Sequence, residues 1–153
     1  MPSGFNQQGG ILAYQDDDNY VKLVYKSNPR SFRNTGSSAM IDMIVEENGE
    51  TNSLVNMRNS ESVSATSVTL KLERKGSKIV GSYSTDGKKF TEVASADIAL
   101  SNTKAGIIVC DGAENSRMGG FRMPRRQAAT EPEEQGDFKV SYDYFRIKNS
   151  GLK

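Results

Sequence analysis

The sequence predicts an all-β domain built as an antiparallel β-sandwich or jelly roll. Three observations carry this expectation. Short apolar runs are separated by turn signals, among them Asp16-Asp17-Asp18-Asn19, Asn48-Gly49, Lys75-Gly76-Ser77 and Asp86-Gly87. One of these runs alternates cleanly: Val68, Leu70 and Leu72 face one way, Thr69, Lys71 and Glu73 the other. That period of two marks a strand with one buried face. Finally, Pro2, Pro29, Pro124 and Pro132 all lie outside the proposed strands, as expected because proline interrupts a ladder. No amphipathic helix stands out.

The elements follow in order. Residues 11–15 and 20–26 form a hairpin around the acidic turn. Asp and Asn suit such a tip because they bond their own backbone and tolerate unusual dihedrals. Residues 39–46 (AMIDMIVE) run into Asn48-Gly49, a dipeptide favoured in tight hairpins, with a partner strand expected at 53–59. Strands are expected at 68–73, 79–84 and 90–93, joined by the Gly76 and Gly87 turns. Residues 104–110 are a continuous apolar run, as expected of a central strand. Residues 138–147 close the chain as a strand, with Phe138, Val140, Tyr142 and Tyr144 on one face. About nine strands result. Residues 27–38 and 111–137 read as long polar loops.

Composition bounds the function. A chain of 153 residues fits a single domain. Lys+Arg number 20 against 19 Asp+Glu, which argues against a nucleic-acid binder with its usual basic excess. No apolar run approaches the ~20 residues that span a membrane. Met1-Pro2-Ser3-Gly4 leads straight into polar sequence without a leader signature, as in an internal fragment. There is no histidine, which removes imidazole acid–base work and Ser-His-Asp or Cys-His catalysis. The single Cys110 has no disulfide partner and reads as a buried, inert thiol.

Four segments together resemble the concanavalin A-like β-sandwich found at the C-terminus of family 43 β-xylosidases. They are Gly10-Ile-Leu-Ala-Tyr-Gln-Asp-Asp-Asp-Asn-Tyr-Val-Lys-Leu23, Val68-Thr-Leu-Lys-Leu-Glu-Arg74, Tyr83-Ser-Thr-Asp-Gly87 and Tyr142-Asp-Tyr-Phe-Arg-Ile147. The family has further strands before the first of these, and here only residues 1–8 precede it. Part of one sheet is therefore missing, supplied by another segment, or replaced locally. The resemblance implies a non-catalytic carbohydrate-binding or accessory module of a secreted, xylan-type polysaccharide-degrading glycoside hydrolase, with the catalytic acids in a separate domain. The alternative is a structural module that packs on a catalytic domain and binds nothing alone. An exposed apolar patch favours that alternative.

Candidate site residues follow from strand alternation, from a local concentration of arginines and from the resemblance. If Val21 and Leu23 point inward, Tyr20 and Lys22 point outward, and Tyr20 becomes the leading exposed ring for stacking on a sugar. Arg117, Arg122, Arg125 and Arg126 surround Phe121. Arginine forks match carboxylates and stack on rings, so Phe121, Arg122, Arg125 and Arg126 are expected to contact a uronic-acid-decorated xylan or an acidic partner. The competing reading is a loop neutralised by Glu131, Glu133 and Glu134. The resemblance makes Asp143 the candidate ligand of a structural calcium; the competing reading is an outward carboxylate beside Arg146. Asp16, Asp17 and Asp18 are read as a solvated turn, because calcium needs converging oxygens and neighbours at a hairpin tip diverge. Expected partners are a plant polysaccharide or oligosaccharide and a catalytic domain of the same parent protein. An unpaired sheet edge also invites a homodimer.

Overall fold

Two antiparallel sheets face one another across the core of the computed structural model, which describes residues 7–27, 39–55, 62–110 and 139–148. Eight strands are described: β1 (Gln8–Asp16), β2 (Asn19–Ser27), β3 (Ala39–Glu47), β4 (Glu50–Ser53), β5 (Thr69–Lys75), β6 (Lys78–Ser84), β7 (Thr91–Asp97) and β8 (Lys104–Cys110). The larger sheet runs β4-β3-β2-β1-β8 and the smaller β5-β6-β7. Among the described residues there is no helix.

Local chemistry sets the hairpins. Asn48 (φ 53°) and Gly49 (φ 79°) both occupy the left-handed region, which a two-residue primed turn demands. Because that turn is so tight, β4 starts at Glu50 and ends at Ser53, earlier than the 53–59 expected; residues 56–61 lie outside the described residues. The β3–β4 tip docks on the β1–β2 tip. Gly49 N–H donates to the Asp18 carbonyl at 3.0 Å, and Asn48 N–H to Asn19 Oδ1 at 3.1 Å. The acidic turn is thus a structural clasp: Asp16 Oδ1 accepts from Asp18 N–H and from Asn19 Nδ2.

The core follows from register. β2 pairs with β3 so that Val21, Leu23 and Tyr25 oppose Val45, Met43 and Ile41, and β1 sets Ala13, Ile11 and Gly9 beside the same row. Val21, Leu23 and Met43 are fully buried. Ile79, Leu70, Leu72 and Tyr83 of the smaller sheet pack on them, so the inward face expected for Val68, Leu70 and Leu72 is the observed one. The sheets approach closely at Gly81, where a Cβ would stand 2.9 Å from Met43 Sδ and 3.0 Å from Leu23 Cδ1. Tyr25 directs its hydroxyl to the carbonyls of Val63 and Ala65, at 2.8 and 3.0 Å.

Three expectations are corrected. Among the described strands β8 pairs only with β1 and so ends the larger sheet, not its middle, and Ala105, Ile107 and Val109 on its inner face are exposed. A continuous apolar run reports a strand's composition, not whether a second layer covers it. Cys110, at the end of that strand, is half-buried and not part of the core cluster. Residues 139–148 form no ladder with any described strand. Instead Val140 presses on Gly9, and the Tyr142 hydroxyl sits against both β1 and β8. A period of two assigns faces, but a strand also needs an adjacent edge.

Candidate functional site

The outer face of the larger sheet carries the side chains that alternate with the core row. The β1–β2, β2–β3 and β3–β4 registers place Tyr14, Tyr20, Glu46 and Thr51 in a single row across four strands, near the paired hairpin tips. The next row holds Leu12, Lys22, Ile44 and Ser53. Tyr20 and Lys22 therefore do point outward, as their alternation with buried Val21 and Leu23 predicts.

Tyr20 is not a free platform, however. Its hydroxyl donates to Glu46 Oε2 at 2.7 Å, and Thr51 Oγ1 donates to the same oxygen at 2.6 Å. Burial, and then the Glu46 carboxylate, push the Tyr20 phenol up to about 12. The two hydroxyl donors, Thr51 foremost, hold Glu46 below the usual carboxylate range. Lys22 Nζ stands 5.8 Å from the Tyr20 ring centroid, a cation–π contact that occupies part of the ring. Tyr14 turns its hydroxyl to Asp17 Oδ1 at 2.7 Å. The row can offer ring edges and a carboxylate to a sugar, but its hydroxyls are already committed.

Deeper on the same face, Lys26 and Asp42 form an ion pair, with Asp42 fully buried. Ser53 Oγ lies 2.9 Å from each Asp42 carboxylate oxygen. This cluster is self-satisfied and holds β2, β3 and β4 in register.

A shallow hollow beside β6 is lined by Tyr83, Ser84, Thr85, Asp86, Lys89 and Thr91. Its carboxylate is consumed by the turn: Asp86 Oδ1 accepts from Lys88 N–H at 2.8 Å, Lys89 N–H at 2.9 Å and Ser84 Oγ at 2.8 Å. These bonds hold Asp86 down at about 2, so it stays ionised at neutral pH and has no proton to give as a general acid.

Asp143 is exposed. Among the described residues no group of three or more Asp, Glu, Cys or His gathers as a metal ligand set. Phe121, Arg122, Arg125 and Arg126 lie outside the described residues.

What sequence reasoning missed is an apolar surface. Ile107 and Val109 on β8 are 50% and 47% exposed, and Tyr144, Phe145 and Ile147 are 63%, 45% and 67% exposed. Tyr142 ties the second group to the first, since its hydroxyl lies 2.8 Å from the Ile108 carbonyl and 3.1 Å from Gly10 N.

Residues 1–115 match the model of the β-xylosidase C-terminal concanavalin A-like domain. The chain belongs to that family. Its relatives of known structure include the GH43 protein BlXynB from Bacillus licheniformis, at 20% identity and a TM-score of 0.62 over 75% of this chain. A variant of BlXynB matches at 20% identity and a TM-score of 0.61. A functionally unknown protein from Saccharomyces cerevisiae matches at 17% identity and a TM-score of 0.56, covering 72% of this chain and 55% of that one. At these identities the structures show the shared fold. The chain spans 23% of BlXynB, so it corresponds to one part of a longer protein. No curated protein matches it. The β-xylosidase C-terminal module is an accessory domain of GH43 enzymes, and that is the class this chain resembles.

Proposed function

We propose that this chain is a non-catalytic accessory module of a secreted, GH43-type polysaccharide-degrading enzyme. It acts by docking on the catalytic domain of its parent protein. The observation that carries the reading is the apolar surface at Ile107, Val109, Tyr144, Phe145 and Ile147. Side chains of this size, grouped along one strand and the segment tied to it, mark an interaction surface. The absence of histidine and the committed state of Asp86 and Glu46 support a non-catalytic role.

A second reading is carbohydrate binding on the outer face, with Tyr20 and Lys22 contacting a xylan-type chain. Its support is the Tyr14–Tyr20–Glu46 row, where a ring stands beside an ionised acceptor. Hydroxyls already paired with protein weaken it, because a sugar must displace those bonds for little net gain. Affinity electrophoresis in gels with glucuronoxylan, arabinoxylan, β-glucan or no polysaccharide, with and without EDTA, separates the readings. Docking predicts no retardation in any gel. Selective retardation that Tyr20→Ala abolishes replaces docking with sugar binding, and sensitivity to EDTA assigns the structural calcium.

A further inference from the structure

The two hairpin tips of the larger sheet hold a reactive dipeptide inside a hydrogen-bonded clasp. Asn48 and Gly49 form the exposed β3–β4 turn, both with positive φ. Asparagine is a chemically labile residue, because the backbone nitrogen of the next residue can attack its side-chain carbonyl carbon. A glycine in that next place has no Cβ to screen the nitrogen. Here the nitrogen is held. Gly49 N–H donates to the Asp18 carbonyl at 3.0 Å, and Asn48 N–H donates to Asn19 Oδ1 at 3.1 Å. An amide committed to a carbonyl is free neither to lose its hydrogen nor to swing onto Cγ. Two other turns supply contrasts. Asp86 precedes Gly87, but its carboxylate is pinned by the N–H groups of Lys88 and Lys89 and by Ser84 Oγ. Asn102 also has a positive φ, of 48°, but Thr103 follows it, and a branched side chain screens the attacking nitrogen.

We propose that Asn48 is a site of slow self-deamidation, gated by the clasp between the β1–β2 and β3–β4 tips, and that its conversion loosens β4. When the clasp opens, Gly49 N bonds to Asn48 Cγ. The Cγ–Nδ2 bond breaks, and ammonia leaves with the amide hydrogen. The cyclic imide so formed takes up a water. Opening at Cγ leaves aspartate at position 48. Opening at the main-chain carbonyl leaves an isoaspartyl link, with the backbone routed through Cγ. That link lengthens the turn and breaks the pairing of Glu47 with Glu50. Both products add a carboxylate between those two glutamates. Asp18 adds to the repulsion, since its Oδ1 would stand 3.5 Å from a Cβ on Gly49. The effect runs along β4, where Thr51 donates to Glu46 and Ser53 lies against Asp42.

The test follows deamidation of the chain by fragment-ion mass spectrometry at mildly alkaline pH, beside a blocked peptide with the sequence of residues 44–53. The peptide has no clasp and reports the ungated rate. Asn48 in the folded chain is expected to convert about tenfold or more slowly than in the peptide, yet faster than Asn102 of the same chain. Asn19→Ala removes one bond of the clasp, and is expected to speed Asn48 about fivefold while leaving Asn102 unchanged. The modified chain, separated by anion exchange, is expected to show faster amide exchange at residues 50–53, with β2 unchanged. Four results overturn the proposal. Equal rates in chain and peptide would mean that the clasp gates nothing. Conversion of the peptide but never of the chain would mean that the turn is no modification site. Asn19→Ala might leave Asn48 unchanged, or speed Asn48 and Asn102 alike, which reports general loosening. Or residues 50–53 of the modified chain exchange as slowly as before. The comparison of chain with peptide needs no variant, so it decides the gate even if Asn19→Ala does not fold.

Discussion

At the scale of single residues, most charged and phenolic groups of the sheet's outer face are structural partners of one another. Asp42 is the clearest case: a fully buried carboxylate facing Lys26, with Ser53 against both its oxygens. Removing one member of a buried pair strands the other without water. Lys26→Met is therefore expected to cost about 3–5 kcal/mol in urea unfolding. Replacing both as Lys26→Met with Asp42→Leu should recover most of that loss, and independent, additive losses would contradict the pairing. Tyr20 supplies a prediction in pH. Its folded phenol titrates at about 12, above the ordinary value of 10.0. The raised value means that the folded state keeps its proton longer. The stability this gives is present below pH 10 and is lost as pH rises through about 12. Ultraviolet titration of the phenolate should lose one late component in Tyr20→Phe. In Glu46→Gln that component should move down but stay above the ordinary range, because burial, the larger cause, is untouched. An unmoved component would remove Glu46 from the account.

At the scale of elements, turns and registers show what was legible in the sequence. The Asn48-Gly49 and Asp86-Gly87 signals mark two hairpin turns because their chemistry is local: positive φ at Asn48, Gly49 and Gly87, and a carboxylate that caps its own loop. Alternation placed Tyr20 and Lys22 outward for the same reason, since a period of two needs only the strand itself. Glu46 as the partner of Tyr20 was not legible. β2 and β3 are separated by residues 28–38, so no tight turn fixes their register. The role of 139–148 was not legible either, because Tyr142 bonds to Gly10, 132 positions away in sequence. Asp86 is expected to respond to acid. Its folded value of about 2 lies below the ordinary 3.8, so the stability it confers is present above about pH 4 and is lost as pH falls towards 2. Asp86→Asn should flatten the melting temperature against pH across that window. Gly10 limits what β1 can carry: a Cβ there would meet the Leu23 carbonyl and stand 2.8 Å from Val24 Cα. No side-chain rotation relieves a backbone clash, so Gly10→Ala is expected to separate β1 from β2 locally, seen as faster amide exchange at residues 23–25.

At the scale of the whole molecule, the decisive feature is unequal coverage. Among the described residues five strands face three, and the apolar side chains of β8 are about half exposed. Apolar surface held in water contributes little to folding, so the two ends of the same register row should respond differently to charge. Leu23 and Ile107 both flank Ile11 in that row, one buried and the other half exposed. Leu23→Lys is expected to unfold the domain, because an unpaired ammonium would enter a fully packed core. Ile107→Lys with Val109→Glu should change unfolding stability by no more than about 0.5 kcal/mol, the range of ordinary surface substitutions. The same double variant should lower binding of an apolar dye and the light scattering of concentrated solutions, because it removes the surface that drives association. A loss of stability comparable to a core substitution would mean that β8 is covered in solution by the chain itself. In that case the apolar surface along β8 would not be open to a partner, and the docking reading would fall with it.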